Sequence, residues 1–397
     1  MKKALAFLLI FLITICLTAC GDAREPLYSQ TDRTAAGAAG IGSADGEELN
    51  ELLPIYNAQN EKIGEINLFG TVMPTNGGFV YTVHSGSAME YYQYTVSNQE
   101  SVKLGSVENW AMQPNEAVFL HNHLFIFVMT GGGETQILKL LDLDLENHTL
   151  SEVFSEEGGF PYNTMIGSGD KLLIARALTN ETCIQEYNVL TNEMKDLKRI
   201  PFDDARGVGE AVRHICADKD TISLLMPVIK DENSVRLQVN VYDTAMSLLN
   251  SADISDISAD PNELRQGVSN FVFSDGLLYY ENFSMTRFLG RVTDTGLEKC
   301  MDVDSLYVMA YETAQVPETK LLCRLYDESN ALYLVDMKTG DIRKGSFFAD
   351  DKRYQFYNMY RDATGNVIML MGYRHPDTGA ELEPRLYYVS ESDLHFS

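Results

Sequence analysis

From Asn76 onward the chain alternates short apolar or period-two runs with Gly, Asn and Asp, a pattern that predicts strands joined by tight turns. The runs are rich in Val, Ile, Leu, Tyr and Phe: Gly78 to Val83, Tyr91 to Val96, Leu124 to Met129, Gln136 to Leu141, Lys171 to Ala175 and Thr182 to Val189. No amphipathic helix of three turns separates them, which disfavours parallel βαβ folds. Three segments share a finer pattern, in which an alternating run ends in Asn or Asp and a small or polar turn. They are Glu186 to Glu193, Val239 to Ala245 and Leu334 to Asp341. Each reads as a hairpin between the third and fourth strands of a sheet. Asn and Asp side chains cap their own backbone in such turns, and Gly340 can take the positive φ that they need.

Grouping the strands on this register gives seven units, about 76 to 108, 116 to 154, 162 to 200, 211 to 253, 268 to 303, 308 to 346 and 354 to 390. A spacing of about 40 to 50 residues belongs to blade-type repeats. The seventh unit lacks an outer strand, whereas Lys62 to Phe69 has strand character and no hairpin partner. Pairing the two would close a ring and remove the sheet edges that invite aggregation. The expected fold is therefore all-β, a seven-bladed β-propeller over residues 51–397 closed by its N-terminal strand. Six or eight blades, or two β-sandwiches, remain alternatives at this level. In this architecture residues 50–397 resemble bacterial seven-bladed propellers, but with no Trp-Asp blade ending, no Tyr-Trp-Thr-Asp and no repeated Ser-x-Asp-x-Gly-x-x-Trp box.

The first fifty residues have a different character. Met1, Lys2 and Lys3 precede an apolar run from Ala4 to Ile15, and Leu17-Thr18-Ala19-Cys20 ends it. This is the layout of a signal peptide, and the run is shorter than the roughly 20 residues a membrane span needs. Leu-Thr-Ala-Cys resembles the lipobox of bacterial lipoproteins. The resemblance implies cleavage after residue 19, thioether lipidation of Cys20 and acylation of its new amine, with residues 1–19 as the signal. Two or more acyl chains hold a protein stably on a bilayer. Residues 20–50 are rich in Gly, Ala, Ser and acids, which predicts a flexible tether of roughly 30 Å end-to-end distance. The chain is thus expected at the extracytoplasmic face of a membrane, as a monomer.

Charge narrows the partners. Removal of Lys2 and Lys3 with the signal takes the formal net charge from −26 to −28, which excludes nucleic acid and leaves attachment to the lipid rather than to a basic patch. Cys183, Cys216, Cys300 and Cys323 show no CxxC or zinc spacing, and the register places them on strands of different rank, which predicts four buried thiols.

Candidate chemistry is sparse. His121-Asn122-His123 could offer two imidazoles to a metal, but reads better as a hairpin turn. Asp142 and Asp144 share a strand face and read as solvated carboxylates, with no calcium loop after them. Gly131-Gly132-Gly133 lacks the Lys of a phosphate loop, and neither Gly-x-Ser-x-Gly nor His-Glu-x-x-His occurs. No metal or cofactor is expected. Propellers bind ligands on the face formed by the loops between second and third strands and between blades. On this register that face collects Trp110, Phe160, Tyr162, Phe202 and Arg206, the composition of a binding surface. Packing between blades is the competing role for the same aromatic residues. The functional expectation is a non-catalytic binding or scaffold module for a protein or cell-envelope ligand such as a glycan. The alternative is a propeller hydrolase or lyase acting on polysaccharide.

Overall fold

The computed structural model describes residues 52–67, 71–112, 117–131, 136–157, 163–202, 207–231, 234–265, 267–282, 284, 286–293, 296–300, 306–308, 310–312, 320–325, 331–347, 354–361, 364–373 and 384–397. The signal peptide, Cys20 and the tether through residue 50 lie outside this set. The described chain opens with β1 (Leu53–Tyr56) and β2 (Lys62–Ile66). Blade 1 holds β3 (Val72–Thr75), β4 (Gly78–Ser85), β5 (Ala88–Thr95) and β6 (Glu100–Glu108). Blade 2 holds β7 (Trp110–Met112), β8 (Ala117–Leu120), β9 (His123–Thr130), β10 (Ile137–Asp144) and β11 (Thr149–Glu157). Blade 3 holds β12 (Asn163–Ser168), β13 (Lys171–Ala177), β14 (Glu181–Asn188) and β15 (Glu193–Pro201). Blade 4 holds β16 (His214–Ala217), β17 (Thr221–Asp231), β18 (Ser234–Asp243) and β19 (Leu248–Asp253). Blade 5 holds β20 (Val268–Ser274), β21 (Leu277–Asn282), β22 (Arg287–Thr293) and β23 (Gly296–Lys299). In blade 6 β24 (Leu306–Val308) pairs β26 (Lys320–Leu325), followed by β27 (Tyr333–Asp336) and β28 (Ile342–Lys344), while β25 (Ala310–Glu312) crosses to blade 7. Blade 7 holds β29 (Tyr354–Arg361), β30 (Asn366–Tyr373) and β31 (Arg385–Ser390).

Seven sheets built mainly of consecutive antiparallel strands are a seven-bladed β-propeller, and the expected units hold except that the inner strand of blade 1, Val72–Thr75, lies before the unit expected from about 76. Inner strands touch in the order β3, β8, β12, β16, β20, and β29 returns to β3, so the blades form a ring. The only α-helix among the described residues is a single turn, Pro261–Arg265.

Both faces of each blade are covered by a neighbouring blade, so successive residues of its middle strands feed opposite seams. Leu172 and Ile174 pack toward blade 2, while Leu173 and Ala175 pack toward blade 4. Likewise Leu277 and Tyr279 face blade 6, and Leu278 and Tyr280 face blade 4. That is why these strands read as unbroken apolar runs rather than as alternation. Each of the seven seams is filled by its own apolar cluster.

The turns behave as their side chains dictate. Asn188 Oδ1 accepts from the backbone N–H of Leu190 and Thr191, Asp243 Oδ1 from Ala245 and Ser247, and Asp336 Oδ1 from Lys338 and Thr339. Gly340 sits at φ +75°, as its turn requires. At the same end of five blades, a residue at or just past the end of the third strand donates its N–H to the turn between the first and second: Val96 to Gly77, Leu145 to Asn122, Val189 to Asp170, Val292 to Gly276 and Glu391 to Gly365. These bonds mark one face of the disc, called the turn face below. The opposite, loop face carries the links between second and third strands and between blades.

Ring closure differs from expectation in one respect. The strand that meets β31 is β1, not Lys62 to Phe69, and it runs parallel to β31 with Ile55 opposite Leu386 and Tyr56 opposite Tyr387. Lys62–Ile66 then pairs antiparallel outside β1 as the rim strand, and residues 68–70 lie outside the described set. The reason is directional: a chain entering from the loop face must run down the blade before a turn at 57–61 can bring it back up to β3. The stitch is reinforced by Tyr56 stacked on Tyr387 at 5.5 Å, by the Tyr387 hydroxyl on Asn60 Oδ1 at 2.7 Å, and by the Tyr94 hydroxyl of blade 1 donating to Ile63 O at 3.0 Å. Gly64 lies so close to Tyr94 that a Cβ there would collide with the hydroxyl. Gly64→Ala should therefore displace a buried tyrosine and cost about 1–3 kcal/mol of stability, measured by urea titration of the folded chain. An unchanged midpoint would show that β2 does not need this contact.

Candidate functional site

On the loop face, the chain leaves β6 through Asn109, whose φ of +52° turns it back along blade 2. The Asn109 N–H donates to Ser87 O at 3.0 Å, and Gly131 N–H to Asn109 O at 2.7 Å. These bonds hold β7 against β9, with Trp110 opposite Thr130. The Trp110 ring is half-buried on the core between blades 1 and 2 and meets the exposed His84 ring edge-on at 5.4 Å. Phe202 occupies a different seam. It is buried against Ala177 and Ala211 between blades 3 and 4, and its N–H donates to Asn180 O at 2.7 Å. Phe160, Tyr162 and Arg206 lie outside the described residues. Of the five anticipated binding residues, two are therefore placed, in separate seams; Trp110 offers part of a ring to solvent and Phe202 acts as a wedge.

A polar network between blades 4 and 5 was not anticipated from the sequence. Arg213 is buried, and its Nη2 donates to Gly209 O at 3.0 Å and to Arg265 O at 3.1 Å, tying two inter-blade links together. Glu263 Oε2 accepts from the hydroxyls of Ser258 at 2.5 Å and Thr286 at 2.8 Å. Asn282 Nδ2 donates to Glu263 O at 3.2 Å, while its Oδ1 receives the Thr286 N–H at 2.9 Å. On the other side of blade 5, Glu281 Oε1 accepts from Arg287 Nε at 3.2 Å and Nη2 at 3.0 Å, and Oε2 accepts from the Tyr279 hydroxyl at 3.2 Å. Burial, reinforced by the Glu281 charge, lifts the Tyr279 phenol well above its ordinary range, so it stays a donor. The legible signals were Asp260-Pro261, which starts the helical turn that carries Glu263, and the two opposite charges Glu281 and Arg287, each directly beside an apolar strand segment, Leu277 to Tyr280 and Phe288-Leu289.

His121, His123, Asp142 and Asp144 sit on the turn-face side of blade 2. His121 (φ +51°) and Asn122 (φ +62°) form the two-residue turn from β8 to β9. His121 Nε2 lies 2.6 Å from Asp170 Oδ1 on blade 3, and His123 Nδ1 lies 2.8 Å from Asp142 Oδ1. Asp142 is not solvated as expected: it is on the third strand rather than the rim, buried toward blade 3, and that burial raises its pKa against the opposing pull of His123. Asp144 caps the turn after it through the N–H groups of Glu146 and Asn147. No cluster of three or more His, Cys, Asp or Glu capable of holding a metal occurs among the described residues.

Cys183, Cys216 and Cys323 are buried thiols, and burial pushes Cys183 up to about 11 and Cys323 to about 12. Cys300 departs from expectation. It continues the rim strand of blade 5, donating its N–H to Leu289 O at 3.0 Å, and is exposed because no outer strand covers it. His214 begins the inner strand of blade 4 against the Phe271 ring at 5.6 Å, with Nδ1 3.1 Å from Ile215 O. Desolvation by the surrounding protein lowers its pKa to about 4, although an edge of the ring reaches solvent.

No known protein-family model matches the chain, and no curated protein matches it either. Similar solved structures include the β-propeller domain of the Trilobed protease from Pyrococcus furiosus, at 14% identity over 78% of this chain and 92% of that one, with a TM-score of 0.48. A putative 6-phosphogluconolactonase from Bacteroides uniformis matches at 13% identity over 71% and 86%, TM-score 0.45. Oligogalacturonate lyase from Vibrio parahaemolyticus matches at 10% identity over 85% and 90%, TM-score 0.42.

Two outcomes follow for the seams. Phe202→Ala should leave a cavity under the loop face and cost about 3 kcal/mol, read by thermal and denaturant unfolding; a loss below 0.5 kcal/mol, on the order of a surface change, would argue that Phe202 is not a wedge. His214 is held neutral in the fold, so the unfolded chain takes up its proton first as pH falls below its ordinary 6.5. Stability is therefore lost between about pH 6.5 and 4, by on the order of 1–2 kcal/mol after discounting for the exposed edge. Denaturation midpoints of wild type and His214→Gln across that range check this: the variant's profile should be flatter.

Proposed function

We propose that this chain is a lipid-anchored, extracytoplasmic β-propeller that uses its loop face to bind a protein or cell-envelope partner and carries out no chemistry of its own. The observation that carries the anchor is Leu17-Thr18-Ala19-Cys20 at the end of a signal-like run, followed by a tether-like composition up to the edge of the propeller. The first strand begins at Leu53, leaving the whole ring intact after cleavage at residue 19. None of the described helices is long and apolar enough to cross a membrane. Attachment in this reading rests on the lipobox-like segment and lipid on Cys20.

Binding without catalysis is the reading favoured by how two described carboxylates of the loop face, Glu263 and Glu281, are engaged. Glu281 is neutralised by Arg287 and takes a further hydrogen bond from Tyr279, and Glu263 is committed to two hydroxyls. A general acid or base needs lone pairs facing a substrate, and a polysaccharide hydrolase needs two carboxylates about 5–10 Å apart with room between them. These groups instead fasten loops, which gives a rigid surface. Among the described residues, the half-exposed Trp110 beside His84 is an aromatic feature of that face that a ligand can reach.

Expression of the full chain in a bacterium fed tritiated palmitate tests the anchor. The wild type should be labelled and sediment with membranes, whereas Cys20→Ser should be unlabelled and appear in the soluble extracytoplasmic fraction. Label persisting in Cys20→Ser, or none in the wild type, would overturn the assignment.

A further inference from the structure

The outermost strand of each blade has one side with no strand beside it, and six of the seven such edges are guarded by charge. β2, β6, β11, β15, β23 and β28 each carry two or more charged residues. Charges on an edge oppose pairing with a further strand, which would have to bury them. β19 is the exception. Leu248-Leu249-Asn250-Ser251-Ala252 is uncharged, and Asp253 at its end is paired with Arg236 at 3.5 Å. No described strand pairs its outer side.

Two further features set this edge apart. Blades 1, 2 and 3 each insert an extra residue into the outer strand, Leu104, Val153 and Leu197, and pack it inward. The extra residue of blade 4 is Leu249, which is 59% exposed beside Leu248 at 56%. The backbone supplies the second feature. Ile254 N–H bonds inward to Leu237 O, so by antiparallel alternation residues 250 and 252 also face β18, and Ser251 faces outward. The Ser251 N–H is met at 2.8 Å by Asn250 Oδ1, a side chain standing where a fifth strand would place a carbonyl.

We propose that the occupant of this edge is a second copy of the chain, its β19 antiparallel to the first about a twofold axis at Asn250, in place of the monomer expected from the sequence. The strand is self-complementary about that axis. The large Leu248 and Leu249 fall opposite the small Ala252 and Ser251 of the second copy, and Asn250 falls opposite itself. The whole uncharged stretch is thereby paired without burying a charge, and a closed twofold contact needs one patch that matches itself. Charge selects the place as well. The chain has a formal net charge of −26, so two copies repel wherever acidic surfaces meet and approach at least cost along an uncharged edge. A six-residue edge is about 20 Å long, and contacts of that size belong with weak, reversible interfaces. The contact does not depend on lipid at Cys20.

The chain from residue 20 carrying Cys20→Ser and Cys300→Ser tests this without lipid and without an exposed thiol, since Cys183, Cys216 and Cys323 are buried. Sedimentation equilibrium from micromolar to submillimolar concentrations should show a monomer–dimer equilibrium that tightens with added salt as repulsion is screened. Leu249→Glu should weaken it at least tenfold. Ile342→Glu, the same change at an exposed residue of another rim strand, should leave it within twofold. Asn250→Cys added to the same chain should cross-link to its own copy under mild oxidation at least tenfold faster than Ser151→Cys, an exposed position on β11. Directly opposed residues that do not share hydrogen bonds have Cα atoms about 4.5 Å apart, within disulfide reach. A monomer throughout, dimers indifferent to Leu249→Glu, or cross-linking no faster than at Ser151 overturns the proposal. Flotation of a monomer with phosphatidylcholine vesicles, lost in Leu249→Glu, also overturns it and assigns the leucines to lipid.

Discussion

Everything in this fold depends on closing the ring. A blade buries both of its faces, so a first and a last blade that failed to meet would each expose a sheet face lined with Tyr, Phe and Ile as well as unpaired backbone. The closing cluster shows what is at stake: Leu53, Ile55 and Ile66 from the start of the chain pack with Phe79 and Tyr81 of blade 1 and with Ile368, Leu370 and Leu386 of blade 7. Its residues lie more than 300 positions apart in sequence. The entropy of bringing them together rises only logarithmically with loop length, so a long separation is tolerable provided the final contact is apolar and well packed. The C-terminus adds a second closure, with Lys344 and Ser397 exchanging backbone hydrogen bonds and Phe396 packed against the core between blades 6 and 7.

The blade plan was legible in the sequence because it is written in local chemistry. Asn188, Asp243 and Asp336 cap turns through their own side chains, and apolar runs between them have the length of strands. The closing strand was not legible in that way. Leu53–Tyr56 is four residues long, contains Pro54, and takes its place in blade 7 from a partner at the other end of the chain. Lys62–Ile66 looked more like a strand because its exposed rim position permits polar residues on one side. Cys300 and Asp142 were misplaced for a related reason: whether a strand position is covered depends on its rank in the blade and on the adjacent blade, and neither is a local property.

The same distinction explains the loop face. Aromatic residues in inter-blade links stand out in a sequence, but the wedge-shaped gap between two blades needs a filler and a ligand site needs a projection, and both recruit Phe and Trp. Burial separates the two: Phe202 is enclosed by two alanines, while Trp110 keeps one side open beside His84. The polar seam was hidden more deeply, since Arg213, Ser258, Glu263, Asn282 and Thr286 come from three separate stretches and each looks like an ordinary surface residue by itself.

The buried ion pair on the other side of blade 5 also bears on what the face can do. Burying Glu281 with Arg287 is close to neutral in net free energy against an apolar pair of similar size, because desolvation consumes most of the Coulombic gain. Deleting either partner is not neutral, since it strands a charge with no water to receive it. An arrangement with little net stabilising value but a large penalty for disturbance acts as a constraint on geometry rather than as a source of stability. Here the pair fixes the loop between β21 and β22, Asn282 and Thr286 fasten that loop to Glu263 in the link entering blade 5, and Arg213 ties together the links before and after blade 4. A partner that meets this part of the face finds loops whose conformational entropy was lost on folding, so less of its contact energy goes into ordering them.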